Sequence, residues 1–192
     1  LGWAGKMSYN ADIMGKTGTK KRLDAVKVLP EVIGRLLTIS DADVLLHEVC
    51  QVADDAVGAD EVSLLLLDED GQTLVEHEVV GKKLRPTRHR LGLKDRGLSV
   101  SAAVSRQAIV APDVRKDKRY FAIDSETKSE AALPILSGDR LLGVLNFESC
   151  KLGYFQKTDE PLLSFLAAQI AIALRVAELD RVSERGRGQL RS

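Results

Sequence analysis

The sequence predicts an α+β fold in which helices flank an antiparallel sheet of five or six strands. Three observations carry it. Residues 131–136 and 141–147 are two apolar runs separated by Ser137, Gly138 and Asp139, the residue types that reverse a chain into a hairpin. Residues 62–67 form a second apolar run that ends in Asp68-Glu69-Asp70-Gly71, and the alternating stretch 73–80 reads as its hairpin partner. On either side the apolar period changes from two to between three and four, which marks amphipathic helices; such an arrangement of hairpins and flanking helices is an α+β layering.

Taken in order, residues 1–21 are rich in Gly, Lys, Ser, Thr and Asn, with isolated Trp3 and Met7, and read as a linker or non-native remnant. Leu23, Val26, Leu29, Val32, Ile33, Leu36 and Leu37 recur with helical spacing and give a signalling helix over 22–38, kinked at Pro30. Ser40 followed by Asp43 resembles a capping box for a helix over 41–57 that carries Val44, Leu45, Val49, Val52, Ala53 and Val57 and is closed by Gly58. Residues 81–97 read as a Lys-, Arg- and Gly-rich loop, 98–106 as a short helix, 108–110 as an edge strand and 111–128 as a long loop. In the second hairpin Glu130 and Pro134 interrupt the apolar run; proline has no N–H for a central ladder, so a bulge or non-donating site is expected there. A helix over about 159–184 follows. The main domain is placed at 39–178, with 179–192 as a helical extension and tail, and there is no internal repeat.

A chain of 192 residues is long enough for one domain with a full core. Its 28 basic and 28 acidic residues balance, so no global field draws in nucleic acid. Both ends are locally basic, as in Lys20, Lys21 and Arg22 or Arg181, Arg185 and Arg187, which is read as solvated helix and linker. Cys50 and Cys150 are the only cysteines, too few for a disulfide framework; a reducing, cytoplasmic setting is expected. No apolar run approaches the ~20 residues that cross a bilayer, so no membrane partner is expected. Leu1 in place of Met and a helical pattern that trails off suggest a piece of a larger protein.

Four fragments then line up. APDVRKDKRY at 111–120, SEAALPI at 129–135, LLGVLNFES at 141–149 and FQKTDE at 155–160 together resemble, in order and spacing, the GAF domain, a small-ligand sensor of phosphodiesterases, phytochromes, histidine kinases and bacterial transcription activators. The resemblance covers roughly residues 40–177. It implies a GAF/PAS-like sheet with the terminal helices packed on one face and a loop-covered pocket on the other. It also implies a regulatory, non-catalytic role in which a ligand that binds two states unequally is relayed through the terminal helices to an output domain. The runner-up is a dimerisation module with a vestigial pocket.

Catalytic signatures are sparse. His47, His77 and His89 fall in no motif with a Gly-flanked Ser or Cys, as nucleophilic catalysis needs. His47 and Cys50 have no second ligand pair for structural zinc, and no phosphate-binding glycine loop occurs. No enzymatic activity, metal or identifiable cofactor is therefore expected. One enzymatic branch, the free methionine-(R)-sulfoxide reductases, is also similar in its SE, strand proline, GVL and ES. Its pocket cysteines would fall in the stretches Gly97-Leu98-Ser99-Val100 and Tyr120-Phe121-Ala122-Ile123-Asp124, where both thiols are missing; this reading ranks third. Phe155, Asp159 and Glu160 match half of the cyclic-nucleotide pattern, but Ser149 and Cys150 replace its Asn-Lys. The bland alternative is a buried aromatic and a carboxylate in the first turn of a helix. Bilin attachment lacks its cysteine at 111–128.

The pocket of the family, placed on this sequence, is lined by His77, Val79, Ser99, Ala102, Asp113, Tyr120, Phe121, Ser129, Glu130 and Ala132, for an unknown small-molecule ligand. Glu130 is either a ligand-facing carboxylate or a loop staple to Arg115 or Arg119. A homodimer is expected through the terminal helices: Leu163, Leu166, Ile170, Ala173 and Ala177 form a heptad-like seam, joined by Val32 and Leu36, while Leu162, Phe165, Ala168 and Ile172 would cover the sheet.

Overall fold

The computed structural model describes residues 42–81 and 89–189. Helix α1 (Ala42–Val57) leads into strands β1 (Glu61–Leu67), β2 (Thr73–Gly81) and β3 (Arg90–Gly92). Helix α2 (Leu98–Ser105), strands β4 (Ile109–Ala111), β5 (Ser129–Ser137) and β6 (Arg140–Ser149), and helix α3 (Glu160–Gln189) complete the domain. The six strands form one antiparallel sheet in the order β3-β2-β1-β6-β5-β4. Strand β3 lies within the stretch read as a loop. Its three residues pair with Thr73, Leu74 and Val75 and are too few to show an alternating pattern. The linker and helix expected over 1–38, with Val32 and Leu36, lie outside the described residues.

Each face of the sheet carries an apolar cluster covered by helices. On one side α1 and α3 bury Leu45, Val49, Leu163 and Ile170 against Val62, Leu64, Leu133, Leu145 and Phe147. On the other, α2 and the loop after β4 bury Leu98, Ala102 and Val114 against Leu65, Leu74, Ala132 and Val144. Successive strand residues alternate between these two cores because the side-chain period is two.

Phe155 anchors the start of α3. It is fully buried, stacks edge-on against Tyr154 with ring centroids 5.0 Å apart, and its N–H donates to Ser129 Oγ at 3.0 Å. Asp159 Oδ2 accepts from the Gln156 N–H at 2.8 Å in a capping box. These two residues are thus a buried plug and a helix cap.

The seam assigned to a dimer is corrected by this packing. Leu163, Leu166, Ile170 and Ala173 are buried in the domain's own core, and of these Leu163, Ile170 and Ala173 pack in the α1/α3 cluster. The stripe expected to cover the sheet points outward instead, with Phe165 and Ile172 exposed. Two stripes of similar hydrophobicity cannot be told apart by spacing alone; the longer aliphatic side chains fill the deeper positions. The Ala177 side chain lies outside the described set.

The bulge expected at Pro134 lies one step further on, between Ile135 and Leu136. Opposite it, Gly143 lets β6 approach β1: a Cβ there would collide with the Leu65 carbonyl oxygen and the Leu66 Cα. Gly143→Ala is expected to cost about 2 kcal/mol in urea unfolding. Gly138→Ala, where a Cβ meets no atom, should lose only the left-handed backbone penalty of about 1 kcal/mol.

Candidate functional site

The cavity is assembled by strand parity and one irregularity. On β5 the even positions Glu130 and Ala132 face α2, whereas Ala131, Leu133 and Ile135 face α1 and α3. On β6, Val144, Asn146 and Glu148 share the α2 side through their cross-strand pairs with Pro134, Ala132 and Glu130. Strand β2 would send Glu76, Glu78 and Val80 to one face, but the register between β1 and β2 slips between Leu64 and Leu65. Leu65 is opposite Glu76 and Leu64 is opposite Glu78, leaving His77 as the extra residue. The bulge therefore turns Glu76 toward the cavity, while Glu78 pairs with His47 on α1 at 3.0 Å.

The result is a cavity of about 540 Å³, mouth included, whose wall contains Ser63, Glu76, Glu130, Asn146 and Glu148 from the sheet. Gly97, Leu98 and Ser99 at the start of α2 complete it, with Arg96, His89 and the loop residues Tyr120, Phe121, Ile123 and Asp124. Three glutamates stand in register across three strands: Glu61 opposite Glu148 on β1 and β6, and Glu148 opposite Glu130 on β6 and β5. Glu130 is 5 % exposed, and Glu61 and Glu76 are each 4 % exposed. Like charges directly opposite one another destabilise a sheet.

Hydrogen bonds tie down part of this wall. Thr127 Oγ1 donates to Glu148 Oε2 at 2.5 Å, Asn146 Nδ2 donates to Glu148 Oε1 at 3.2 Å, and the His89 N–H donates to Glu76 Oε2 at 3.2 Å. Asn146 is 4 % exposed, and its Oδ1 has no hydrogen-bond partner. Among the described residues none of Glu76, Glu130 and Glu148 pairs with a lysine or arginine.

Burial pushes the Glu130 carboxyl well above the usual carboxylate range, and facing Glu148 raises it further, against the pull of the Asn146 amide. Burial likewise raises Glu76, against the hydrogen bond from the His89 N–H. Tyr120 is pushed up to about 12, first by burial and then by Glu130 and Glu148. Burial thus favours the protonated form of this cluster, and its oxygens offer acceptors to a donor-rich cation. No set of three or more His, Cys, Asp or Glu with metal-holding geometry occurs among the described residues.

Of the residues assigned to the pocket from sequence, Ser99, Tyr120, Phe121 and Glu130 line this cavity, and the others are elsewhere. Ser129 has the opposite parity to Glu130. It is fully buried and staples β4 to α3, donating to the Ala111 carbonyl at 3.2 Å and accepting from Phe155. Ala132 and Ala102 pack against each other's elements beneath the floor. Asp113 is bound to Arg115 through Nε at 2.8 Å and Nη2 at 2.9 Å, which holds its carboxyl below the usual range. Arg119 is bound to Asp117, so neither arginine staples Glu130. Val79 pairs with Ser63 beyond the cavity's edge, and His77 is taken up by the bulge. Glu76, Asn146, Glu148, Arg96 and His89 were not anticipated. The alternation Leu145-Asn146-Phe147-Glu148 in a strand covered on both faces was the signal for two of them.

The two cysteines are set apart from this wall. Cys50 is fully buried in the α1/α3 core, where burial raises its thiol far above the ordinary value. Cys150 follows β6, its N–H donating to Asp60 Oδ2 at 2.9 Å.

Comparison with known proteins gives this geometry relatives of two kinds. A curated free methionine-R-sulfoxide reductase from Saccharomyces cerevisiae is 36% identical over 76 residues, 39% of this chain and 42% of the yeast protein. GAF domain-containing protein A from Dictyostelium discoideum is 35% identical over 71 residues, 37% of this chain and 45% of that protein. The matches thus span less than half the length of these curated relatives. The type II free methionine-R-sulfoxide reductase of Thermoplasma acidophilum superposes with a TM-score of 0.61 at 26% identity, over 74% of this chain and 96% of that one. The Neisseria meningitidis enzyme, solved in complex with its substrate, superposes with a TM-score of 0.75 at 24% identity, over 85% and 96%. The expectation of a non-catalytic regulatory sensor is overturned here, because these neighbours are enzymes built on the same fold. No described helix is long and apolar enough to cross a membrane. The sequence profile of the GAF domain matches residues 41–174, and the chain belongs to the GAF domain family.

Proposed function

We propose that the cavity takes a free amino acid of the methionine sulfoxide class by its ammonium group, as a reductase-type substrate pocket. The observation that carries this reading is the acidic wall. Glu130, Glu148 and Glu76 lie in one cavity with the unpaired Asn146 Oδ1, and none of the three pairs with a lysine or arginine among the described residues. A primary ammonium supplies three N–H donors and one positive charge, and replaces the proton that the cluster otherwise keeps. The apolar part of the lining, Leu65, Leu91, Leu98, Phe121 and Ile123, suits a thioether-like side chain. The likeness to the yeast and Thermoplasma reductases supports the same ligand class.

Reduction of a sulfoxide consumes two thiols: a thiolate attacks sulfur, the oxygen takes up two protons and leaves as water, and a second thiol closes a disulfide. The stretches that would hold pocket thiols, 97–100 and 120–124, do face the cavity, but they present Gly97, Leu98, Ser99, Tyr120, Phe121, Ile123 and Asp124. In this reading the electrons come from a soluble dithiol that enters the mouth, and the Glu130 carboxyl, kept neutral by burial, is the proton donor to the leaving oxygen.

Two outcomes are expected. In calorimetric titration near neutral pH, free methionine sulfoxide should bind, N-acetylmethionine sulfoxide, which lacks the ammonium, should not, and Glu130→Gln should weaken binding at least tenfold. With dithiothreitol as reductant, turnover should survive Cys50→Ala combined with Cys150→Ser and be lost in Glu130→Gln; loss in the cysteine variant would move the chemistry to the chain's own thiols.

Stability should report the same proton. Glu130 holds its proton more tightly folded than unfolded, so unfolding releases a proton at pH values between the two pKa values. The stabilisation is complete below the ordinary glutamate range, about pH 4, and is lost as pH rises through the raised folded value. Glu130→Gln should therefore melt several degrees above the parent near pH 8, with the gap closing near pH 4. An equal Tm difference at both ends would show that folding does not shift the titration of this carboxyl.

A further inference from the structure

Glu76 enters the cavity only because of the bulge on β2, and one ammonium at the far end of the wall leaves it unused. The register slip sets it opposite Leu65 and into the cavity lining, the kind of re-aiming that bulges perform beside binding sites. Its position is fixed. The Glu76 N–H donates to the His89 carbonyl at 2.9 Å, and its Oε2 accepts from the His89 N–H at 3.2 Å. Glu76 is 4 % exposed, and among the described residues it pairs with no lysine or arginine. Arg96 lines the same cavity but donates from Nη2 to the Lys118 carbonyl at 2.7 Å.

Glu76 and Glu148 stand toward opposite ends of this cavity. From Glu76 the ladder steps to Leu65 on β1 and then to Val144 on β6, and Glu148 lies further along β6. Two strand spacings of about 4.8 Å and four residues of about 3.3 Å set the two backbones roughly 16 Å apart. Both side chains line the one cavity, and so do Leu65 and Leu98, which pack in a single apolar cluster. The wall therefore runs acid, hydrocarbon, acid. At the Glu148 end stand its cross-strand partner Glu130 and Asn146, 4 % exposed, whose Oδ1 has no hydrogen-bond partner. A buried acceptor left open in a cavity wall marks the place of a donor that the chain does not supply.

We infer that Glu76 is a second cation subsite, so that the cavity takes aliphatic α,ω-diamines, with one ammonium at Glu130, Glu148 and Asn146, the other at Glu76, and the alkyl link over Leu65 and Leu98. This rests on the acidic-wall reading for the first ammonium and goes beyond it in ligand class. Each ammonium brings three donors and one charge, and its bond to a carboxylate is of the strong, charge-assisted kind. The glutamate side chains take up part of the span between the strands, and a short alkyl link covers the rest. Glu76 is then a specificity-determining residue, favouring a dication over a monocation of the same length.

The test titrates 1,5-diaminopentane and its monoamine counterpart, pentylamine, into the whole chain and into Glu76→Gln by calorimetry at near-physiological salt. The parent should bind the diamine about tenfold more tightly than the monoamine, and Glu76→Gln should erase that difference while leaving the monoamine unchanged. Equal binding of the two amines by the parent overturns the subsite without recourse to any variant. A Glu76→Gln chain that weakens both amines alike overturns it too, since that is the pattern of a merely structural role. Methionine sulfoxide titrated alongside separates this inference from the reading beneath it. A parent that binds the diamine through Glu76 and ignores methionine sulfoxide supports the subsite and removes the amino-acid reading, whereas one that binds methionine sulfoxide but prefers neither amine does the reverse. Binding of none of the three overturns both.

Discussion

The placement of three glutamates in register across β1, β6 and β5, with Glu61 and Glu130 buried and Glu148 half-buried, is the constraint around which this domain is arranged. Glu61, Glu148 and Glu130 occupy consecutive cross-strand positions, where apolar or opposite-charge pairs would stabilise the sheet and like charges do the reverse. Neutralising one of them by protonation lowers the cost, and the raised Glu130 carboxyl is that solution in the unliganded protein. A cation does the same with more hydrogen bonds. Stability of the empty domain and affinity for a positively charged ligand are therefore linked with opposite sign: whatever makes the wall uncomfortable without a ligand makes it attractive to one.

The rest of the structure isolates this wall without disturbing the core. A sheet covered on both faces gives every central strand one row for each side. The row toward α1 and α3 is apolar through the middle of the sheet, at Leu64, Leu133, Leu145 and Phe147, and carries the packing energy. The row toward α2 is free to be polar at one end, where Asn146, Glu148 and Glu130 succeed the apolar Val144 and Ala132. The bulge at His77 extends the polar end to β2. Without it Glu76 and Glu78 would share a face; with it one joins the cavity and the other meets His47.

Much of the fold was legible because it rests on local signals. Both hairpins follow from turn residues between apolar runs, and α1 and α3 follow from their apolar period. What was not legible depends on relations between elements. Ser129 and Glu130 are adjacent in sequence, and only the pairing of β5 with β6 decides which of them faces the cavity. Glu76 is delivered by a bulge whose position no residue type announces. Arg96 lies in a basic loop where every neighbour had an equal claim. The outward stripe of α3 was assigned to the sheet because both apolar stripes have helical spacing, and only the packing of α3 on β5 decides which of them is covered.

The functional reading went astray for a related reason. Two absent cysteines were given the weight of an absent activity, yet the parts of the site reside on different elements. Charge recognition belongs to the sheet, where Glu130, Asn146 and Glu148 are fixed by ladder register and any change disturbs the core beneath. The positions that would hold thiols belong to the start of α2 and to the loop at 120–124, which includes the 60 % exposed Phe121. Loops of this kind exchange side chains at little cost to stability. On the proposed reading, substitution there alters which groups meet the reactive end of a ligand and leaves the ammonium end held by the sheet as before. A pocket of this construction keeps its ligand class through changes in its chemistry, because the sheet that selects the ligand is also the sheet that folds the domain.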